Sequence, residues 1–460
     1  MIGVAGILLS LVLLMYLAYR GINVLVLAPL LSLLAALLGG DPRMLAIYTQ
    51  VFMVSLGGFV AKYFPLFLLG AIFGRLMSDS GSATSIARSI VARLGPSQAL
   101  LAIVLACGIL TYGGVSVFVV VFAAYPVAVE LFRAANTPKR LIPGAILLGG
   151  ATFTLSGMPG TPSIQNAIPM PFFGTDTFAA PGLGSVAGVV MLVLGMWWLN
   201  GRARRAVAAG EGYGDHPHDL DLSQSPHRPP LMIALVPLVI VLLVNLVMTW
   251  WVIPAMDLAY LAEPRFGRVG VNDVRGIWAL VASLGLAILV AIALHWPRWR
   301  DLKGSVNQGT MSSLLPIFNT ASEIGYGAVI ASLAAFATVQ AAVMAISSNV
   351  LVSEAVAVNI MAGITGSAAG GLSLALGMLG KTYAEAGAAA GISPEVLHRV
   401  AAIASGGLDS LPHNGAVITL LGICRLSHRE SYLDIFMVSV AGPLAALAIV
   451  LVLGSTVGAF

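Results

Sequence analysis

The sequence predicts an all-α polytopic membrane protein: an inverted repeat of about five spans plus one re-entrant hairpin per half, with two discontinuous helices. Three observations carry this. Of 460 residues, 58% are hydrophobic and only 9% charged, and the mean hydropathy is +0.96, which excludes a soluble globular domain. Apolar runs long enough to cross a bilayer, about 20 residues each, recur along the whole chain. Gly- and Pro-rich interruptions fall inside such runs at matching places: 111–116 and 157–163 in the first half, 365–371 and 410–415 in the second. Hydrocarbon satisfies no exposed amide, so irregular backbone at membrane depth must be buried in protein or line a wet cavity.

Full spans are expected at 3–19, 22–38, 51–77 and 182–200, then at 231–250, 275–294, 311–335 and 434–454. The segment 98–133 is too long for one helix and is broken near Thr111, so it reads as a re-entrant hairpin; 354–386 is its counterpart. Each hairpin precedes a broken span, 140–178 around Pro159 and 395–424 around Pro412. Five anchor pairs, Gly70 with Gly327, Thr111 with Thr365, Pro138 with Pro394, Gly150 with Gly407 and Pro159 with Pro412, lie 253 to 257 residues apart. An odd number of crossings inverts the second copy. The domains are thus 1–200, a polar cytoplasmic linker 201–230, and 231–460.

Loop charge supports this topology. With the linker inside, 16 basic residues lie on the cytoplasmic side against six outside, among them Arg275 and Arg399, as the positive-inside rule requires. Both termini face outward. The net charge of +4 therefore reflects loops and implies no nucleic-acid partner. Residues 84–95 read as an interfacial helix, and Glu130, Glu354 and Glu385 as interfacial groups at hairpin ends. The linker histidines lack fixed ligand geometry, so no metal site is expected. Neither a disulfide framework nor a cleaved leader is expected.

No hydrolase motif is present, and Ala375 replaces the first glycine of the near phosphate loop 375–382. The reading is therefore a transporter rather than an enzyme, without a cofactor. Interrupted hydrophobic segments in matching halves point to a transporter's binding site. Candidate substrate contacts are Thr111, Gly113, Gly114 and Ser116 at the first tip and Ser367 and Ser373 at the second, where glycine admits close approach and half-helix amides hold anions. In the breaks they are Thr161, Ser163 and Asn166, with His413 and Asn414. No arginine is read at membrane depth. Ionisable groups at that depth mark a pathway by default, which makes Asp409, His413 and Glu323 the candidate ion-coupling residues. Small-residue packing accounts for Gly149, Gly150, Gly406 and Gly407.

The runs 152–166, 173–176 and 408–420 resemble the gluconate permease family of bacterial inner-membrane symporters, over essentially the whole chain. The resemblance implies proton symport of a gluconate-like sugar acid or a 3-hydroxybutyrate-like hydroxy acid. It also implies a homodimer with elevator motion. Sodium coupling and a passive anion channel are the alternatives.

Overall fold

The computed structural model describes residues 2–20, 22–216, 229–412 and 414–460. Among these residues the chain is helical throughout and contains no strand. Six helices are long and apolar enough to cross a membrane, or up to eight if two sharply bent pairs each form one span.

The first half runs α1 (Ile2–Tyr19), α2 (Val24–Leu38), α3 (Met44–Asp79), α4 (Ser82–Leu94), α5 (Ala99–Tyr112), α6 (Val117–Ala134) and α7 (139–157). Two short helices follow, α8 (Ile164–Ala167) and α9 (Met170–Phe173), and then α10 (Pro181–Ala208). The second half runs α11 (Leu231–Ala255), α12 (Val271–Leu294), α13 (Leu302–Ser332), α14 (Phe336–Met344), α15 (Val350–Thr365), α16 (Ala368–Ala389), α17 (Pro394–Ser405), α18 (Gly415–Cys424) and α19 (His428–Thr456). One order therefore occurs twice: long helix, short helix, hairpin, helix ending in a break, short helical piece, long helix.

Each hairpin turns on local chemistry. Gly114 adopts φ +94°, a left-handed conformation only glycine takes without strain, and it reverses the chain between α5 and α6. At the second tip Gly366 is left-handed, and Ser367 caps α16 by accepting from the Gly370 amide at 3.1 Å. Small residues let helices approach closely: Gly309 lies on the backbone of Ile72 and Gly325 on Phe52, joining α3 to α13. Residues such as Leu30, Val54, Trp197, Leu289 and Val452 stay exposed on outer faces that a bilayer would cover.

Several boundaries differ from the sequence reading. Residues 201–208, read as linker, continue α10, because Ala and Arg carry no helix-breaking signal. The linker's start is docked: Arg140 donates to Glu211 at 2.6 and 2.9 Å, and the Tyr213 amide donates to Asn136 Oδ1. Arg140 holds the Glu211 carboxyl below the usual carboxylate range. His218 and His227 lie outside the described residues. Helix α4 is buried along Ser82, Ala83, Ser85, Ile86 and Ala87, and makes a 105° bend with the helix that follows. Helix α14 had no counterpart in the reading; it bends 100° from α13.

Candidate functional site

The first break is held together by side chains from both halves. The final turns of α7 are wide, with backbone bonds reaching five residues, and such turns loosen a helix before it stops. Tyr112, at the first tip, donates from Oη to the Pro159 carbonyl at 2.9 Å. Thr111 Oγ1 donates to the Cys107 carbonyl at 2.8 Å and shares a 2.9 Å hydrogen bond with Thr154 Oγ1. A Cβ on Gly114 would stand 2.9 Å from Pro162 Cγ, and one on Gly113 would overlap Leu238. The glycines therefore admit neighbouring protein, while the exposed Ser116 is the tip residue left open.

Asn166 is the hub beyond the break. Its Nδ2 donates to the Thr161 and Thr177 carbonyls at 3.0 and 2.8 Å. Its Oδ1 accepts from Arg399 Nη1 at 3.1 Å and pairs with His398 Nε2 at 3.2 Å. Because Oδ1 only accepts, Nε2 carries the hydrogen, and Thr175 Oγ1 donates to Nδ1 at 2.6 Å. Ser163 Oγ donates to the Leu155 carbonyl at 2.6 Å and accepts from the Asn166 amide. Asn166 and Ser163 thus spend their capacity on shaping the break.

Arg399 is not the outside loop charge that the sequence predicts. It is wholly buried in α17. Nε and Nη2 donate to the Ala179 carbonyl at 3.0 and 2.7 Å, Nη1 to Gly157 O and Asn166 Oδ1, and Nη2 also to Thr177 O. All five guanidinium hydrogens are used. The group clamps chain 157–179 and has no donor left for a substrate. The available sequence signal was a pair of ionisable residues, His398 and Arg399, followed by the apolar run 400–404.

The second break is clasped by Asn414. Its Oδ1 accepts from the Ala416 and Val417 amides, and its Nδ2 donates to Gly366 O and Asp409 O, both at 2.7 Å. It therefore ties break to hairpin tip, a positioning role rather than a free contact. Asp409 accepts from Ser410 Oγ at 3.0 Å and forms no ion pair among the described residues. His413 lies outside the described residues. Gly406 meets Ser156, so the two broken helices touch, and Gly407 lies against Asn359.

Four of the candidates keep unspent chemistry. Thr161 Oγ1 and Ser373 Oγ are fully buried without a hydrogen-bond partner among the described residues. The Asp409 carboxyl and Glu323, which lies against Gly370, complete the set. The structure adds residues the reading passed over. Asn245 of α11 donates to Gly160 O and Thr177 Oγ1 at 3.1 and 3.0 Å, while its Oδ1 and the Thr249 hydroxyl remain unpartnered. A lone asparagine in so apolar a span was the available signal. Glu354 is also corrected: it is fully buried, and neither oxygen is hydrogen-bonded among the described residues. Glu130 and Glu385 are exposed and pair with Arg88 and Lys381.

Residues 170–412 match the Na+/H+ antiporter family. Over 98% of its length the chain is 43% identical to the uncharacterized transporter YxjC of Bacillus subtilis, covering 98% of that protein. The chain belongs to this family. It is a multi-pass membrane transporter. Another bacterial relative, an uncharacterized transporter of Haemophilus influenzae, is 32% identical over 182 residues, 39% of this chain and 41% of that one. Two solved structures share the fold at low identity. The YdaH transporter of Alcanivorax borkumensis superposes with a TM-score of 0.58 at 16% identity, covering 90% of this chain and 89% of its own. MtrF of Neisseria gonorrhoeae, which illuminates a class of antimetabolite efflux pumps, gives 0.57 at 14%, covering 89% and 84%.

Proposed function

We propose that the chain is a secondary transporter that imports a small hydroxy-carboxylate by proton symport across a bacterial inner membrane. The substrate is a gluconate-like sugar acid or a 3-hydroxybutyrate-like acid, as the gluconate permease resemblance implies. The observation that carries the reading is that each hairpin tip is bonded to its own helix break, with unspent oxygens left on these elements. Thr161 and Ser373 offer hydroxyls to a substrate, while Asp409 and Glu323 are carboxyl groups without an ion pair among the described residues, suited to carrying protons. Moving an anion into a negative interior costs about 2.3 kcal/mol per charge per 100 mV, and a co-transported proton offsets it. A homodimer belongs to the same proposal.

Purified protein in liposomes should show saturable counterflow of labelled 3-hydroxybutyrate or gluconate, and an inward proton gradient should drive accumulation. Sodium coupling is the second reading, favoured by the family match. Accumulation that follows a sodium gradient and ignores the proton gradient would establish it. Linear, unsaturable flux would instead indicate a channel.

The inverted arrangement, with repeats 1–200 and 231–460 around linker 201–230, is part of the proposal. The pairings support it, because residues assigned to one face bond to each other. Outside, Arg275 pairs with Asp176 at 2.7 Å and Asn349 bonds Ser455. Inside, Arg140, Arg202, Glu211 and Asp434 form one network, and Ser305 bonds Asp79. Cysteines placed near Asp176 and near Gly267 should react with an impermeant reagent in intact cells, and one at Gly212 only after permeabilisation. Reaction at Gly212 in intact cells would overturn the topology.

A further inference from the structure

Glu323 stands in an unusual place for a carboxyl group. It projects from α13, is only 4% exposed, and makes no hydrogen bond or ion pair among the described residues. Its head lies flat on Gly370, in the first turn of α16: a Cβ there would overlap both oxygens and stand 2.6 Å from Cδ. Helix α16 is 22 residues long, and its first amides have no intrahelical acceptor. The Ser367 hydroxyl takes only that of Gly370. The positive end of a long helix, one turn from the unpartnered Ser373 hydroxyl, is thus covered by an unpaired acid from another element.

Among the described residues the surroundings supply no compensating cation. Helix α2 carries no charged residue, and on this stretch of α13 the α3 residue in contact is Phe52, against Gly325. Lys62 of α3 lies more than two turns further along, and Tyr48 of the same helix sits at its outer end. On α16 itself Lys381, Tyr383 and Glu385 lie at the far end, and Tyr326 of α13 is engaged with Ser10 at 2.6 Å. Helix α14 has no titratable side chain.

We infer that Glu323 and the first turn of α16 form one shared anion site, in which the substrate carboxylate sits beside Glu323 only when Glu323 holds a proton. This deepens the proton-symport reading and rests on it. Two carboxylates do not both stay charged at one uncompensated buried site. The arriving anion therefore requires a proton taken from outside water onto a Glu323 oxygen. The protonated acid then donates to the substrate carboxylate, while the helix amides and Ser373 hold the other oxygen. On the inner side the anion leaves and the proton follows to water. One monocarboxylate and one proton cross, and no net charge moves through this pair.

The test is binding of 3-hydroxybutyrate and of gluconate to the purified full chain, followed across pH with proton uptake read by an indicator dye in weakly buffered solution. Wild type should take up one proton per substrate bound, and its affinity should fall about tenfold for each pH unit once Glu323 is ionised. Glu323→Gln should still bind, with flat pH dependence and no proton uptake. Gly370→Ala, which pushes the carboxyl off the helix end, should weaken binding at least tenfold at every pH while eluting as a folded protein. Wild-type pH dependence in Glu323→Gln overturns the inference and leaves the transport reading standing, as does unchanged affinity in Gly370→Ala. Absence of binding of either acid to wild type overturns the transport reading and the inference with it.

Discussion

Replacing Arg399 with methionine should lower the unfolding free energy by about 3 to 5 kcal/mol and abolish counterflow, because a fully used buried guanidinium is being removed. The Ala179 carbonyl loses two donors, and the Gly157 and Thr177 carbonyls and Asn166 Oδ1 lose one each. An acceptor left unsatisfied in a dry interior costs about 1 to 3 kcal/mol, so even partial relaxation leaves a large deficit. Methionine fills most of the volume, which confines the loss to hydrogen bonding. Arg399→Lys should be intermediate, since one ammonium cannot span carbonyls on both sides of the break. Thermal unfolding in detergent, compared with counterflow, reads both effects. Wild-type stability and flux in the methionine variant would show that the break holds its shape without the clamp.

The second large effect is expected at Asp434, far from the breaks. Its carboxylate is 1% exposed and accepts from Arg202 Nε at 2.9 Å, Arg140 Nη1 at 3.1 Å and Trp198 Nε1 at 2.9 Å. It joins the start of α7 and the end of α10 to α19. Asp434→Ala leaves two arginines without their inner partner, at a cost of about 2 to 4 kcal/mol, the lower bound allowing for their partial exposure. Glu211→Gln is the contrast. Glu211 is largely exposed and binds only the outer side of Arg140, so about 0.2 to 1 kcal/mol is expected. Its lowered folded pKa makes its contribution present near neutrality and lost as pH falls through the carboxylate range. Equal melting temperatures for the two variants would refute this ranking.

The sequence by itself determined that the chain lives in a membrane, that its helices break near 113, 159, 366 and 412, and that the breaks come in matched pairs. Each is a property of backbone and local composition: an apolar run needs lipid, and a Gly or Pro cluster interrupts a helix wherever it lies. Which polar groups stay free at the breaks was decided only by tertiary structure. Asn166 looked available until Arg399 and His398, more than 230 residues away, were seen on its carbonyl. Asn414 spends its amide on Gly366, and Glu354 is interfacial by position yet buried by its neighbours. Hydrogen-bond capacity is finite and is filled by whichever donor the fold brings close, so leftover oxygens such as those of Thr161, Ser373 and Glu323 emerge only when every partner is in place.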